Sequence, residues 1–135
     1  MNIIYPSPEK IIEYNFLALE LIKVKKADSP KVLSRSKIVD VIKECEENDG
    51  DVYDKATILM KGIIQKHPFA SGNRRTAFLV TKDFILDNNH KFNVKDDPNF
   101  ARVMQGIREN YYSDYEIKEW LKNGKIKEFK RQWNT

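Results

Sequence analysis

Cysteine, histidine and arginine are scarce in this 135-residue chain, and each scarcity narrows what it can do. Cys45 is the single cysteine, so no internal disulfide can form and no cysteine-cluster metal site is available. With Ile38, Val41 and Ile42 it falls on one apolar helical face, the setting of a buried thiol rather than a nucleophile. No apolar run approaches the roughly 20 residues that a membrane span needs, so no membrane partner is expected. Met1 to Pro6 lack the basic and long apolar regions of a signal peptide, and a cytoplasmic location is expected. A glycine-rich P-loop, an internal repeat and a low-complexity tract are also missing.

What is present is an ordinary globular balance, 41% hydrophobic with 33% charged, of a length suited to one domain over residues 1–135. The net charge of +4 and pI near 9.1 would suit a basic nucleic-acid binder. However, the lysines are spread along the chain with acids between them and no recognition motif accompanies them, so nucleic acid is not expected as a partner.

Helix signals follow one another along the chain. Ser7-Pro8-Glu9 starts a first helix through about residue 24, with Ile11, Ile12, Phe16, Ala18, Leu19 and Ile22 as its core stripe. Lys25 to Lys31 form a polar link. Ser34 or Ser36 caps a second helix to about Glu46, and the acidic turn that follows, with Asp49-Gly50, has the chemistry of a small hairpin or a solvated loop. A third helix runs from Val52, and Asn73 to about Asn89 forms the longest and most apolar one, expected at the centre of the bundle. His90 beside its C-terminus is explained by the helix dipole. Lys91 to Val94 alternate as one short strand would. Asp97-Pro98 caps a further helix, and Ser113 with Glu116 forms a capping box for another that stops at Asn123-Gly124. Ile126, Phe129 and Trp133 in the tail sit at helical spacing, with docking, swapping and partner binding all open to it.

The stretch His67-Pro68-Phe69-Ala70-Ser71-Gly72-Asn73-Arg74-Arg75-Thr76 departs from this scaffold. His67 is in register with Met60 and Ile63, which alone would read as a core histidine, but Pro68 biases it out of the helix. Gly72 is free to take positive φ, and Ser71 or Asn73 can cap the helix that follows. Arg74 and Arg75 oppose the positive end of that helix, an arrangement that makes sense if an anion occupies the turn. A neutral histidine nearby has the chemistry of a general base. Phe69 is expected to pack inward as the anchor of the loop.

These residues resemble the signature loop of the Fic/Doc family: His, any, Phe, any, Asp/Glu/Asn, Gly/Ala, Asn, Gly/Lys, Arg. His67, Phe69, Gly72, Asn73 and Arg75 match it, Arg74 stands where the Doc branch has Lys, and Thr76-Ala77 continue as Doc-like (death-on-curing) sequences do. The resemblance implies an all-α fold, a compact bundle of about six to seven helices with at most a short β-hairpin flap, placed at the acidic turn. It implies transfer of a phosphoryl or AMP group from ATP, usually with Mg²⁺, to a Ser, Thr or Tyr hydroxyl of a target protein. His67 would be the base, Ser71, Gly72 and Asn73 would contribute to the anion hole, and Arg74 and Arg75 would neutralise the phosphates. Ser71 would stand in for a metal-binding carboxylate, so Mg²⁺ binding is expected to be weak. Phe78 stands where Fic-branch sequences carry another Arg, which leans toward the Doc branch and phosphoryl transfer. No inhibitory Ser/Thr-x-x-x-Glu-Gly/Asn motif is present, so control by an antitoxin, as in a toxin–antitoxin pair, is expected. The alternative is a catalytically degenerate Fic/Doc fold that binds a phosphate ligand or a protein.

Overall fold

The computed structural model describes residues 2–22 and 30–131. Its regular structure is six helices: α1 (Pro8–Ile22), α2 (Arg35–Glu47), α3 (Val52–Lys66), α4 (Asn73–Asp87), α5 (Pro98–Arg108) and α6 (Asp114–Asn123). Among the described residues there is no strand, only one isolated antiparallel bridge between Val32 and Phe69. The fold is all-α, as the helix signals imply.

Capping chemistry sets most helix ends where the sequence places them. Ser34 accepts the Lys37 N–H at the start of α2, Asp97 accepts the Asn99 N–H ahead of α5, and Ser113 and Glu116 close a reciprocal box on α6. Gly124 ends α6 at φ 74°, where a Cβ would lie 2.5 Å from the Asn93 carbonyl oxygen.

The centre of the bundle is α3 rather than α4. Helix α3 packs against α2, α4, α5 and α6, whereas α4 packs on α1 and α3. Apolar side chains surround most of α3, and Gly62 lets α2 close in on the remaining side, since a Cβ there would meet Val41 Cγ2 at 2.8 Å. Helix α4 keeps a solvent face that includes Lys82 and Leu86, the latter 46% exposed.

Other expectations are corrected. On α1 the buried line is Ile11, Asn15 and Ala18, so the helix is rotated about a polar residue and Phe16 is half exposed. Residues 23–29 lie outside the described residues, so the expected α1 end near residue 24 and most of the polar link do too. Of the two forms open to the acidic turn, the loop is the one found, and no hairpin forms. Asp51 and Asp54 instead make a capping box that feeds the chain directly into α3, and the buried Lys55 ammonium donates to the Cys45 and Asn48 carbonyls at the end of α2. Lys91 to Val94 form no strand; the Tyr53 hydroxyl donates to the Lys91 carbonyl at 2.6 Å and the Asn93 amide to the Lys122 carbonyl at 2.7 Å.

The tail is not helical over Lys125 to Arg131, and it docks on its own chain. Gly106 on α5 opens the space: a Cβ there would lie 2.5 Å from the Tyr112 ring and 3.1 Å from the Phe129 ring. Phe129 is buried in that space beside Tyr111, the Tyr112 hydroxyl donates to the Lys127 carbonyl at 2.9 Å, and Arg131 pairs with Glu109. Trp133 lies outside the described residues. Replacing Phe129 with Ala is expected to lower unfolding free energy by about 3 kcal/mol, read as a reduced urea midpoint at unchanged slope.

Candidate functional site

Helix α3 ends at His67, which takes the left-handed conformation (φ 53°, ψ 59°) and donates its N–H to the Ile63 carbonyl at 3.3 Å. Pro68 and Phe69 then turn inward and are buried, so Phe69 anchors the loop. On one side the loop is held by the chain ahead of α2: the Pro68 carbonyl accepts the N–H groups of Leu33 (2.8 Å) and Ser34 (3.2 Å), and Ala70 donates to the Lys31 carbonyl at 3.0 Å. On the other side Asn15 of α1 donates to the Ser71 carbonyl at 2.9 Å and the Thr76 hydroxyl at 3.1 Å.

Asn73 does not cap α4. It is the first helical residue, 5% exposed, and its amide turns back into the loop. Its Oδ1 accepts the Phe69 N–H at 3.0 Å, and its Nδ2 donates to the Phe69 carbonyl at 2.8 Å and faces His67 Nδ1 at 3.2 Å. The two backbone bonds set the amide orientation, so His67 Nδ1 is the accepting nitrogen and the neutral ring carries its proton on Nε2. Taking a proton at Nδ1 means displacing this long contact.

The N-cap position belongs to Gly72, at φ 76°, and neither Ser71 nor Asn73 supplies a side-chain cap. A Cβ at Gly72 would lie 3.1 Å from Leu19 Cδ2 and 3.3 Å from Asn15 Nδ2. The first-turn N–H groups of α4 are therefore free of side-chain acceptors and carry the positive end of the helix dipole. In front of them lies a cavity of about 370 Å³, lined among others by His67, Ser71, Arg74, Arg75, Met104 and Arg108.

The three arginines differ in their commitments. Arg75 forks onto Asp96 with contacts of 3.2 and 3.3 Å, and its guanidinium lies over the Phe78 and Phe100 rings at 5.6 and 5.7 Å. Arg74 is exposed and donates to Gln105 of α5. Arg108 reaches the cavity from the end of α5. The expected anion site thus gathers His67, Ser71, Gly72, Asn73, Arg74 and Arg75, but the Asn73 amide is spent on the loop and the Arg75 fork on a carboxylate.

Sequence reasoning missed Asn15 and Arg108. A polar residue on a buried stripe was the available signal for Asn15, and an arginine four positions beyond the inward Met104 was the signal for Arg108.

His67 is held below the ordinary histidine value of 6.5, first by burial and then by the positive charges of Arg108, Lys37 and Arg74. The ring is neutral at pH 7. A protein-held Mg²⁺ does not fit the donors present: no carboxylate lines the cavity, Ser71 offers a neutral hydroxyl, and the described residues contain no cluster of three or more His, Cys, Asp or Glu able to hold a metal.

The model of the Fic/DOC family matches residues 4–85, a span that includes the whole of the His67 loop. No curated protein matches the chain.

Two outcomes follow from the loop geometry. An NMR titration of His67 should give a pKa below 6.5 that rises when Arg108 is replaced by Gln. Since the unfolded ring binds its proton more readily, the stability contribution of His67 is full above pH 6.5 and is lost as pH falls through the lower folded value. Gly72→Ala should cost about 1–3 kcal/mol in denaturant unfolding, because positive φ and the Leu19 contact both oppose a methyl group.

Proposed function

The chain belongs to the Fic/DOC family, and on that premise we propose that it is a transferase moving a phosphoryl or nucleotidyl (AMP) group from ATP to a Ser, Thr or Tyr hydroxyl of a protein target. In this proposal it acts in the cytoplasm as the toxin of a toxin–antitoxin pair. The observation that carries the reading is a half-buried, neutral histidine lining one cavity with an uncapped helix N-terminus and three arginines.

Each part has a task in phosphoryl chemistry, where positioning and charge stabilisation supply most of the acceleration. Free N–H groups at the start of α4 bind phosphate oxygens, with Gly72 allowing the backbone to approach. Arginine neutralises charge as the bond to the leaving group lengthens. His67, neutral at pH 7, receives the proton of the attacking hydroxyl. Ser71 lends a hydroxyl donor to the ligand. Mg²⁺ is assigned no step. Phe78, buried where Fic-branch sequences carry an arginine, favours phosphoryl over nucleotidyl transfer.

The pairing of Arg75 with Asp96 favours a second reading, a binding module for a phosphate ligand or a protein that has lost transfer activity. No helix among the described residues is long and apolar enough to cross a membrane.

The purified protein is incubated with a cell lysate, Mg²⁺ and ATP labelled separately at the α and γ phosphates. Protein-bound γ label alone, lost in His67→Ala, is the outcome expected of phosphoryl transfer, and α label indicates AMP transfer. Neither label, with phosphate ligands still bound, selects the binding module.

A further inference from the structure

We infer that Arg108 is a phosphate-binding residue, gripping the ligand's phosphate chain from α5 across the cavity from the α4 N-terminus. The inference rests on the transferase reading only in taking a phosphate chain as the ligand.

Geometry brings Arg108 to the site. Ala101, Met104 and Arg108 follow one another at helical spacing on α5 and line the His67 cavity. Gln105, one turn before Arg108, receives a hydrogen bond from Arg74, so the start of α4 and this stretch of α5 are tied together. The position at the C-terminus of α5 accounts for a positive charge there, but not for a side chain on the wall of that cavity.

Charge accounting points the same way. The arginines that hold carboxylates among the described residues are Arg35, Arg75 and Arg131. Arg131 occupies Glu109, the acid next to Arg108 in sequence, with its Nε 3.0 Å from the carboxylate. Arg108 has no carboxylate partner among the described residues. Arg75 has its fork turned to Asp96, so Arg108 and Arg74 are the cavity guanidiniums free of carboxylate. No carboxylate lines the cavity to hold a metal, so a guanidinium from α5 supplies positive charge that a metal would otherwise provide.

Equilibrium dialysis of wild type, Arg108→Gln, Arg108→Lys and Arg102→Gln against ATP, inorganic tripolyphosphate and AMP tests this. Arg102 sits on α5 over the Phe129 ring, away from the His67 cavity, and controls for net charge. Arg108→Gln should weaken ATP and tripolyphosphate by about tenfold or more, AMP by less, with an unchanged melting temperature. Arg108→Lys should recover part of the loss and Arg102→Gln should bind as wild type. Equal binding by Arg108→Gln and wild type, or a loss no larger than that of Arg102→Gln, overturns the assignment and leaves the transferase reading standing. Failure of wild type to bind ATP or tripolyphosphate overturns both.

Discussion

The amide of Asn73 bridges the two ends of the His67 loop. It binds both the N–H and the carbonyl of Phe69 and faces the His67 ring, closing residues 67–73 into a compact ring through one side chain. A loop between two helices leaves backbone groups unpaired, and leaving them so while buried would be costly. Asn73 satisfies two of them, Asn15 and the chain at 31–34 satisfy others, and the first-turn N–H groups of α4 are left without a side-chain acceptor. The site depends on this division between backbone groups used internally and those left over.

Placing arginines at a helix N-terminus works against the helix, and the fold answers this differently for each one. Arg75 is neutralised by Asp96 and lies over two aromatic rings, whereas Arg74 stays in water with an amide partner. Burial first, and then the charges of Arg108, Lys37 and Arg74, hold the imidazole below its ordinary value, so part of the positive charge around the cavity also keeps the ring beside it neutral.

Much of this was legible from residue order, because helix caps, turns and the His67 loop are local. Ser34, Asp97, Ser113 and Gly124 act at the ends where they stand, and His67 leaves the helix ahead of Pro68. What was not legible depends on which helix faces which. The central place of α3 follows from Gly62 admitting α2, and the docked tail follows from Gly106 admitting Phe129. Neither void shows in apolar spacing. Apolar counts also misplace the inward face of α1, since Asn15 occupies it, and they are silent on Arg108, whose cavity is formed by elements far apart in the chain.

Leu19 and Asn15 press against the place where Gly72 would carry a side chain, so α1 forms the floor under the turn ahead of α4. The floor sits more than fifty residues upstream and lines none of the cavity, yet it decides how close the turn's backbone can come to α1. Variation at positions 15, 19 and 72 is therefore not independent: a drifting lineage could enlarge Leu19 only by lifting the turn, and could replace Gly72 only after making room in α1.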